Sequence, residues 1–224
     1  MCGRFVLTTP AQAIAEAFGV DPPADLAPRY NVAPGQRVAV VRAAGTSGAR
    51  SLDLLRWGLV PSWAKEAPRA VALINARSDT APVKPAFRSA FRQRRCLVPA
   101  SGFYEWQAPH GGGRKQPWLF TLRGAGPFAM AGLWERWRPA DGPPVDSCTI
   151  LTTEPNELVA PIHDRMPVLL PEESWDEWLD PGGRDVVRLQ AMLVPFPADR
   201  MASRTVSTWV NDARHDDPRC IAPP

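Results

Sequence analysis

The sequence lacks the features of several protein classes. No stretch approaches the ~18 consecutive apolar residues of a membrane span, and no signal-peptide hydrophobic region follows Met1-Cys2-Gly3-Arg4. The four cysteines have no short Cys–Cys or Cys–His spacing, which is typical of neither a disulfide framework nor a zinc site: Cys2, Cys96, Cys148 and Cys220. We therefore expect a soluble, cytoplasmic protein with free thiols, without a metal or another cofactor.

The charge balance is only mildly basic. The 26 Lys and Arg residues exceed the 23 Asp and Glu residues by a formal charge of +3, too little to hold a nucleic acid by bulk attraction. Lys65, Lys84 and Lys115 are the only lysines, so the cationic surface is almost wholly guanidinium. Arginine favours local, bidentate contacts to phosphate or carboxylate, although a GC-rich genome produces the same bias.

Length and composition predict one β-rich domain. A chain of 224 residues with 45% hydrophobic content builds one core, and 26 prolines with 16 glycines favour many turns over long helices. Apolar patterns predict eight strands: Arg37–Arg42, Leu52–Trp57, Ala70–Ile74, Arg95–Val98, Trp118–Leu122, Pro127–Trp134, Ser147–Thr152 and Pro167–Leu170. Start and stop signals predict three short helices: Ala11–Phe18, Pro171–Leu179 and Arg184–Leu193. The segments 108–115 and 139–144 are expected to be hairpin connections. The fold class is α+β: mostly antiparallel or mixed sheets forming an open, barrel-like core with a few short helices.

Cys2 is the first candidate for chemistry. If Met1 is removed, one residue carries both a thiol and an α-amine. The amine has a reference pKa of ~8, so ~9% is unprotonated at pH 7, compared with ~0.04% for a lysine. Attack on an aldehyde would give a Schiff base, and the neighbouring thiol could close it to a stable thiazolidine ring. The alternative is that a cysteine at position 2 is an accident of the start of the gene.

Four further residues, in three parts of the sequence, could assist such chemistry. Asn75 and Arg77 lie two apart, so an extended chain projects both to one face as a clamp for an anion or hydroxyl group. Glu105 is surrounded by aromatic residues, and burial there would raise its pKa toward neutrality. His163 lies in a proline-bounded loop and is the best acid/base candidate among three histidines. Each has a structural alternative: a solvated strand end, a rim carboxylate, or a histidine that only supports its loop.

Phosphates and bases would be held by arginines and exposed aromatic residues. An arginine-lined groove with stacking aromatics is how proteins hold single strands without sequence preference. The candidates are Arg4, Arg77, the cluster Arg88, Arg92, Arg94 and Arg95, and the exposed aromatics Trp57 and Trp63.

A series of short blocks resembles one known family. The blocks are Cys2-Gly3-Arg4-Phe5, Arg29-Tyr30-Asn31-Val32-Ala33-Pro34, Trp57-Gly58-Leu59-Val60-Pro61-Ser62-Trp63, Asn75-Ala76-Arg77, Arg95-Cys96-Leu97-Val98-Pro99, Gly102-Phe103-Tyr104-Glu105-Trp106, His163-Asp164-Arg165-Met166-Pro167, Val206-Ser207 and Val210-Asn211. They are similar, in the same order, to those of the SOS-response-associated peptidase family, also called abasic-site processing proteins. Residues 2–211 would form its domain, and 212–224 an irregular C-terminal tail.

The resemblance implies a protein that binds single-stranded DNA and links its N-terminal Cys2 to the aldehyde of an abasic site, after self-catalysed removal of Met1. It implies that Asn75 holds the sugar, that Glu105 is the acid/base for the Schiff base and that His163 donates a proton for ring opening. The DNA-binding residues would be Arg4, Pro34, Trp63, Arg77 and Thr152. It also implies possible lyase activity, a nucleoid-associated monomer, and the replication machinery as a candidate partner.

Three other functions stay open on the residues alone. Glutamine amidotransferases also use an N-terminal cysteine, but the rest of their pattern is absent. A protease could use Cys2 and His163 on other proteins. A non-catalytic DNA-binding module would show salt-sensitive binding without a covalent product.

Overall fold

The computed structural model describes residues 2–21, 26–45, 49–66, 71–108, 113–124 and 126–224. The strands are β1 (Phe5–Leu7), β2 (Arg29–Val32), β3 (Arg37–Ala43), β4 (Arg50–Trp57), β5 (Asn75–Arg77), β6 (Arg95–Ala100), β7 (Gly102–Gln107), β8 (Gln116–Leu122), β9 (Phe128–Trp137), β10 (Val145–Thr153), β11 (Met166–Pro167), β12 (Leu169–Leu170) and β13 (Met201–Thr205). The helices are α1 (Ala11–Phe18), α2 (Arg88–Gln93), α3 (Trp175–Leu179) and α4 (Val186–Ala191), with 3₁₀ turns at Glu172–Ser174, Ala198–Arg200, Thr208–Asn211 and Pro218–Ile221.

The larger sheet closes on itself. Strand β10 pairs with β4, β4 with β3, β3 with β6, β6 with β9, and β9 with β10 again. Gly132 lies where β9 meets both β6 and β10, and a Cβ there would be 2.9 Å from Cys96 Sγ and 3.0 Å from the Thr149 carbonyl oxygen. A larger residue at this position would therefore force β9 away from β6 and β10. The predicted α+β fold with a barrel-like core is confirmed.

A second, five-stranded sheet covers this barrel, in the order β13-β8-β7-β1-β2. Strand β1 lies between β7 and β2, antiparallel to both. Phe5 on β1 meets Trp57 on β4 with ring centroids 5.3 Å apart, and both side chains are buried. This contact joins the two sheets and fixes the start of the chain beside the barrel.

The three predicted helices are confirmed, whereas two strand predictions need correction. Ala70–Ile74 was expected to be a strand, but residues 71–74 are irregular, residue 70 lies outside the described ranges, and Leu73 has a left-handed φ of 51°. The Ile74 carbonyl oxygen accepts the Trp57 indole N–H at 2.9 Å. Pro167–Leu170 is split into β11 and β12 because the Val168 N–H donates to Leu151 on β10, while its carbonyl oxygen accepts from Ala131 on β9.

Trp57 was expected to be an exposed aromatic, and this is wrong. Its side chain is fully buried between the sheets and donates to the Ile74 backbone. All four cysteines are free and buried, as expected of free thiols. Among the described residues, no helix is long and apolar enough to cross a membrane.

The segment after Asn211, expected to be an irregular tail, carries a 3₁₀ turn and packs against β2. The Asn31 side-chain amide donates to the carbonyl oxygens of Val210, Asp212 and His215. The Asp216 carboxylate accepts the backbone N–H groups of Tyr30 and Asn31. These bonds hold the C-terminal segment on the sheet that carries the start of the chain.

Candidate functional site

Strand β1 brings the start of the chain alongside Glu105. Phe5 pairs with Phe103 on β7, and the Tyr104 N–H donates to the Arg4 carbonyl oxygen at 3.0 Å. Continued by one residue, this register brings Gly3 opposite Glu105, and the charge of Glu105 acts on the thiol of the adjacent Cys2. The sequence blocks that carry these two residues are a hundred positions apart and meet only through this strand pairing.

Glu105 is a buried carboxyl group with an altered proton affinity. It is 2% exposed, and burial raises its pKa to about 7. A group with this pKa exists in both protonation states at neutral pH, which suits general acid and base catalysis. The raised pKa agrees with the sequence prediction.

His163 faces this carboxyl group. Its Nε2 lies 3.8 Å from Glu105 Oε2, and its Nδ1 accepts the Arg165 backbone N–H at 3.0 Å. The neutral ring therefore carries its proton on Nε2, toward Glu105. Burial lowers the pKa of His163, although the exposed Asp164 carboxylate, 2.9 Å from Nδ1, acts in the opposite direction. The imidazole is mainly uncharged at neutral pH.

Cys2 itself is fully buried in the full-length chain. Burial, and secondly the charge of Glu105, raise the pKa of its thiol well above the ordinary value. The thiolate is therefore strongly disfavoured before any reaction. Chemistry at this residue is better begun by an amine than by the sulfur.

An open cleft of about 460 Å³ adjoins these groups. It is lined by Gly3, Arg4, Glu105, Trp106, Lys115, His163 and Asn211. The Trp106 indole N–H donates to Asn211 Oδ1 at 2.7 Å, which ties one wall to the C-terminal segment. Lys115 is a cleft cation that sequence reasoning missed; its rarity, as one of three lysines, and its place after a glycine-rich stretch of sequence were the available signals. Residues 109–112 of the expected hairpin 108–115 lie outside the described residues.

Asn75 and Arg77 lie on β5, which runs parallel to β10. Both side chains project to one side of β5, while Ala76 between them is buried on the other. Asn75 Oδ1 is buried without a hydrogen-bond partner in the described part of the chain. It is therefore ready to accept a hydrogen bond from a bound molecule. The exposed Arg77 pairs with Asp79 at 2.8 Å.

The other predicted DNA-binding residues differ in accessibility. The Arg4 guanidinium lines the cleft and is fixed by Asn31 Oδ1 and the Val210 carbonyl oxygen, at 2.8 and 2.9 Å. Pro34 is half-buried in the turn between β2 and β3, whereas Trp63 is 66% exposed. Thr152 is 2% exposed, and its carbonyl oxygen accepts from the Arg165 guanidinium. Its side chain faces inward, away from a surface path.

Only part of the predicted arginine cluster is available to a ligand. Arg95 is 3% exposed, and its guanidinium donates to backbone carbonyl oxygens that include those of Phe91 and Trp178. Its expected phosphate contact is therefore wrong, because the side chain closes the ends of two helices. Arg88 and Arg92 on α2 are exposed. Within the described residues, no three His, Cys, Asp or Glu side chains form a metal-binding group.

The family model described as SOS response associated peptidase (SRAP) matches residues 1–213. This chain belongs to the SRAP family. Among SRAP relatives, the abasic site processing protein YoqW of Bacillus subtilis is 42% identical over 224 residues, covering 99% of each chain. The abasic site processing protein HMCES of Gallus gallus is 35% identical, covering 88% of this chain and 66% of its own. A solved structure of a Bacteroides thetaiotaomicron protein superposes with a TM-score of 0.88 at 26% identity, covering both chains completely. The resemblance noted in the sequence is confirmed.

Proposed function

We propose that this SRAP protein processes abasic sites in single-stranded DNA by linking Cys2 covalently to the sugar aldehyde. The names of its relatives support abasic-site processing. The observation that carries the chemistry is the pairing of a carboxyl group of pKa about 7, Glu105, with a neutral His163 beside Cys2.

The reaction begins with hydrolysis of the Met1–Cys2 peptide bond by the protein itself. One water is added, methionine leaves, and the nitrogen of Cys2 becomes an α-amine. In its ionised state Glu105, whose charge acts on Cys2, is the base for this step. The product places an amine of ordinary pKa ~8 at the inner side of the cleft.

Ring opening exposes the aldehyde. An abasic deoxyribose is mainly a closed hemiacetal, and opening it requires one proton to reach the ring oxygen and one to leave the C1′ hydroxyl. When the proton of the Glu105–His163 pair is on the imidazole, His163 Nε2 gives it to the ring oxygen and the Glu105 carboxylate takes the proton of the C1′ hydroxyl, which leaves the aldehyde and restores the pair. Asn75 holds the sugar through its buried Oδ1, which has no hydrogen-bond partner among the residues that the structure describes.

Schiff-base formation uses both forms of Glu105. Its carboxylate takes a proton from the α-ammonium group, and the free amine adds to C1′. Its carboxylic acid then protonates the hydroxyl of the carbinolamine, which leaves as water. Because the pKa of Glu105 is about 7, neither form is rare at neutral pH.

Ring closure gives the stable link. The thiol of Cys2 loses its proton to Glu105, and Sγ bonds to C1′ of the iminium to form a thiazolidine. The net change is the loss of one water per link. Without the sulfur, the same Schiff base could proceed to strand cleavage by β-elimination, so the thiol selects protection of the lesion.

DNA contacts extend from the cleft along the surface. Arg4 and Arg77 would hold phosphates beside the lesion, while Pro34 and the exposed Trp63 would line the strand path. Thr152, being buried, would contribute by holding Arg165. We propose a monomer that acts in the cytoplasm on the nucleoid, with the replication machinery as its candidate partner.

A denaturing gel tests the proposal. The protein is incubated with a labelled single-stranded oligonucleotide that carries one abasic site, then heated. We expect a heat-stable adduct with the natural chain and none with the Cys2→Ala variant. Salt-sensitive binding without an adduct would contradict the proposal and favour the non-catalytic module.

A further inference from the structure

Trp63 differs from the other tryptophans of the chain. It is 66% exposed, whereas the other eight are half-buried or buried. A large exposed indole costs solvation free energy and is typical of a contact surface. The structure also shows what holds this residue in place.

Trp63 lies inside a tight turn. The Ala64 N–H donates to the Pro61 carbonyl oxygen at 3.0 Å, which closes the turn around Ser62 and Trp63. The Trp63 side chain thus lies at the tip of a turn whose backbone is fixed by the Ala64–Pro61 hydrogen bond.

Both neighbours of Trp63 are tied to β9. The Ser62 hydroxyl donates to Glu135 Oε2 at 3.0 Å, and the Trp137 indole N–H donates to the Ala64 carbonyl oxygen at 2.7 Å. Glu135 and Trp137 are two apart on β9, so they lie on one side of the strand, and both are buried. The end of β9 therefore holds the turn at two points, one on either side of the exposed Trp63.

Glu135 is an unusual choice for such a position. It is 4% exposed, and Arg94 Nε lies 2.5 Å from its other oxygen, Oε1. A buried ion pair contributes little net stability compared with apolar packing. Its carboxylate does, however, provide a strong and directional acceptor for the Ser62 hydroxyl.

We propose that Glu135 is a positioning residue that acts through Trp63. It fixes the turn so that the exposed indole is ready to stack on a nucleobase of the bound single strand. A fixed side chain loses less conformational entropy on binding, which increases affinity without a new contact. The inference rests on the proposed function, since it assigns Trp63 to the DNA path.

A double-mutant cycle tests the proposal. Affinity is measured with a single-stranded oligonucleotide carrying a tetrahydrofuran abasic analogue, which binds but has no aldehyde. Trp63→Ala should weaken binding about 5- to 150-fold, the range expected of one stacked base. Ser62→Ala and Glu135→Gln should each weaken it about three- to tenfold, as partial losses of that contact. In the Trp63→Ala background, both should have no further effect.

The exposed Ser62 keeps the test independent of folding. Ser62→Thr retains the hydroxyl and should restore the affinity, while adduct formation at saturating DNA with a true abasic site should be unchanged in all Ser62 variants. Equal weakening by Ser62→Ala with and without Trp63, or no weakening at all, overturns the proposal. If the natural chain binds the analogue but forms no adduct with a true abasic site, the proposed function fails while the binding cycle still decides the role of Glu135.

Discussion

Glu105 Oε2 lies 3.8 Å from His163 Nε2, and burial moves the pKa values of the two groups in opposite directions. The carboxyl pKa rises to about 7 and the imidazole pKa falls, which inverts their ordinary order. A proton shared by this pair therefore resides on the carboxyl group. Near neutral pH the site therefore combines a carboxyl group present in both protonation states with a mainly neutral imidazole.

The first prediction concerns the pH dependence of crosslinking. Above pH 7, Glu105 loses the proton that it gives to the leaving hydroxyl, so the rate should fall there. Glu105→Gln should lower the rate about 10²- to 10⁴-fold and remove this descending limb, whereas Glu105→Asp should retain a limb. Single-turnover adduct formation between pH 5 and 9 measures both effects. An unchanged limb in the glutamine variant would contradict the assignment.

The second prediction concerns stability. The pKa of Glu105 is raised from 4.5 to about 7 by burial, so between these pH values the folded state binds a proton that the unfolded state releases. Stability contributed by this group is full below pH 4.5 and is lost as the pH rises to about 7, by about 3 kcal/mol.

Glu105→Gln does not titrate. The free energy of unfolding of this variant minus that of the natural chain should therefore be larger at pH 8 than at pH 5. Urea denaturation at the two pH values measures this difference. Parallel stability profiles for the two proteins would show that the Glu105 pKa is not raised.

The third prediction separates the sulfur from the amine. Cys2→Ala, provided Met1 is still removed, keeps the amine and should retain some abasic-site cleavage through the Schiff base. It should lose the heat-stable adduct, since no ring can close. Borohydride trapping of the Schiff base provides the positive control. A heat-stable adduct in this variant would refute the role given to the thiol.

The fourth prediction concerns ring opening. His163→Ala should slow crosslinking to a natural abasic site about 10²-fold or more, the range for one general acid. With an oligonucleotide that carries an acyclic aldehyde, the variant should match the natural chain because no ring needs to open. Equal slowing on both substrates would place His163 in a later step.

The fifth prediction concerns the C-terminal segment. Asn31→Ala removes a buried amide that donates to the carbonyl oxygens of Val210, Asp212 and His215 and accepts from the Arg4 guanidinium. We expect a loss of about 2–4 kcal/mol in unfolding free energy, because buried partners are left unpaired. The segment should also become more accessible to proteases. The exposed Gln12→Ala is the matched control and should change neither property.

Local sequence signals account for the elements that were predicted correctly. Helix α1 ends at Gly19, which has the left-handed φ of 62° that glycine tolerates. A long apolar run marks β9, and β-branched residues mark β10. Strands β1 and β5 have three residues each and depend on pairing with distant strands. Short strands of this kind carry too little periodicity to be recognised. For the same reason, periodicity could not separate the five-residue apolar run Ala70–Ile74 from a true strand, and the strand predicted there is wrong.

The candidate site was predictable in its residues but not in its geometry. Residue type and context identified Cys2, Glu105 and His163, while burial of the thiol and the 3.8 Å approach depend on long-range packing. The assignment of Arg95 to phosphate was wrong for a related reason. In the sequence, a buried arginine that caps helix ends cannot be distinguished from an arginine on the surface. Burial, not residue type, separates the two roles.

Intact mass spectrometry of the purified protein tests the central claim most directly. Before incubation, the account predicts a mass lower than that of the full sequence by one methionine residue. After incubation with a single-stranded oligonucleotide bearing one abasic site, it predicts an increase equal to the oligonucleotide less one water. A chain that retains Met1 and gains no mass from the oligonucleotide would contradict the account.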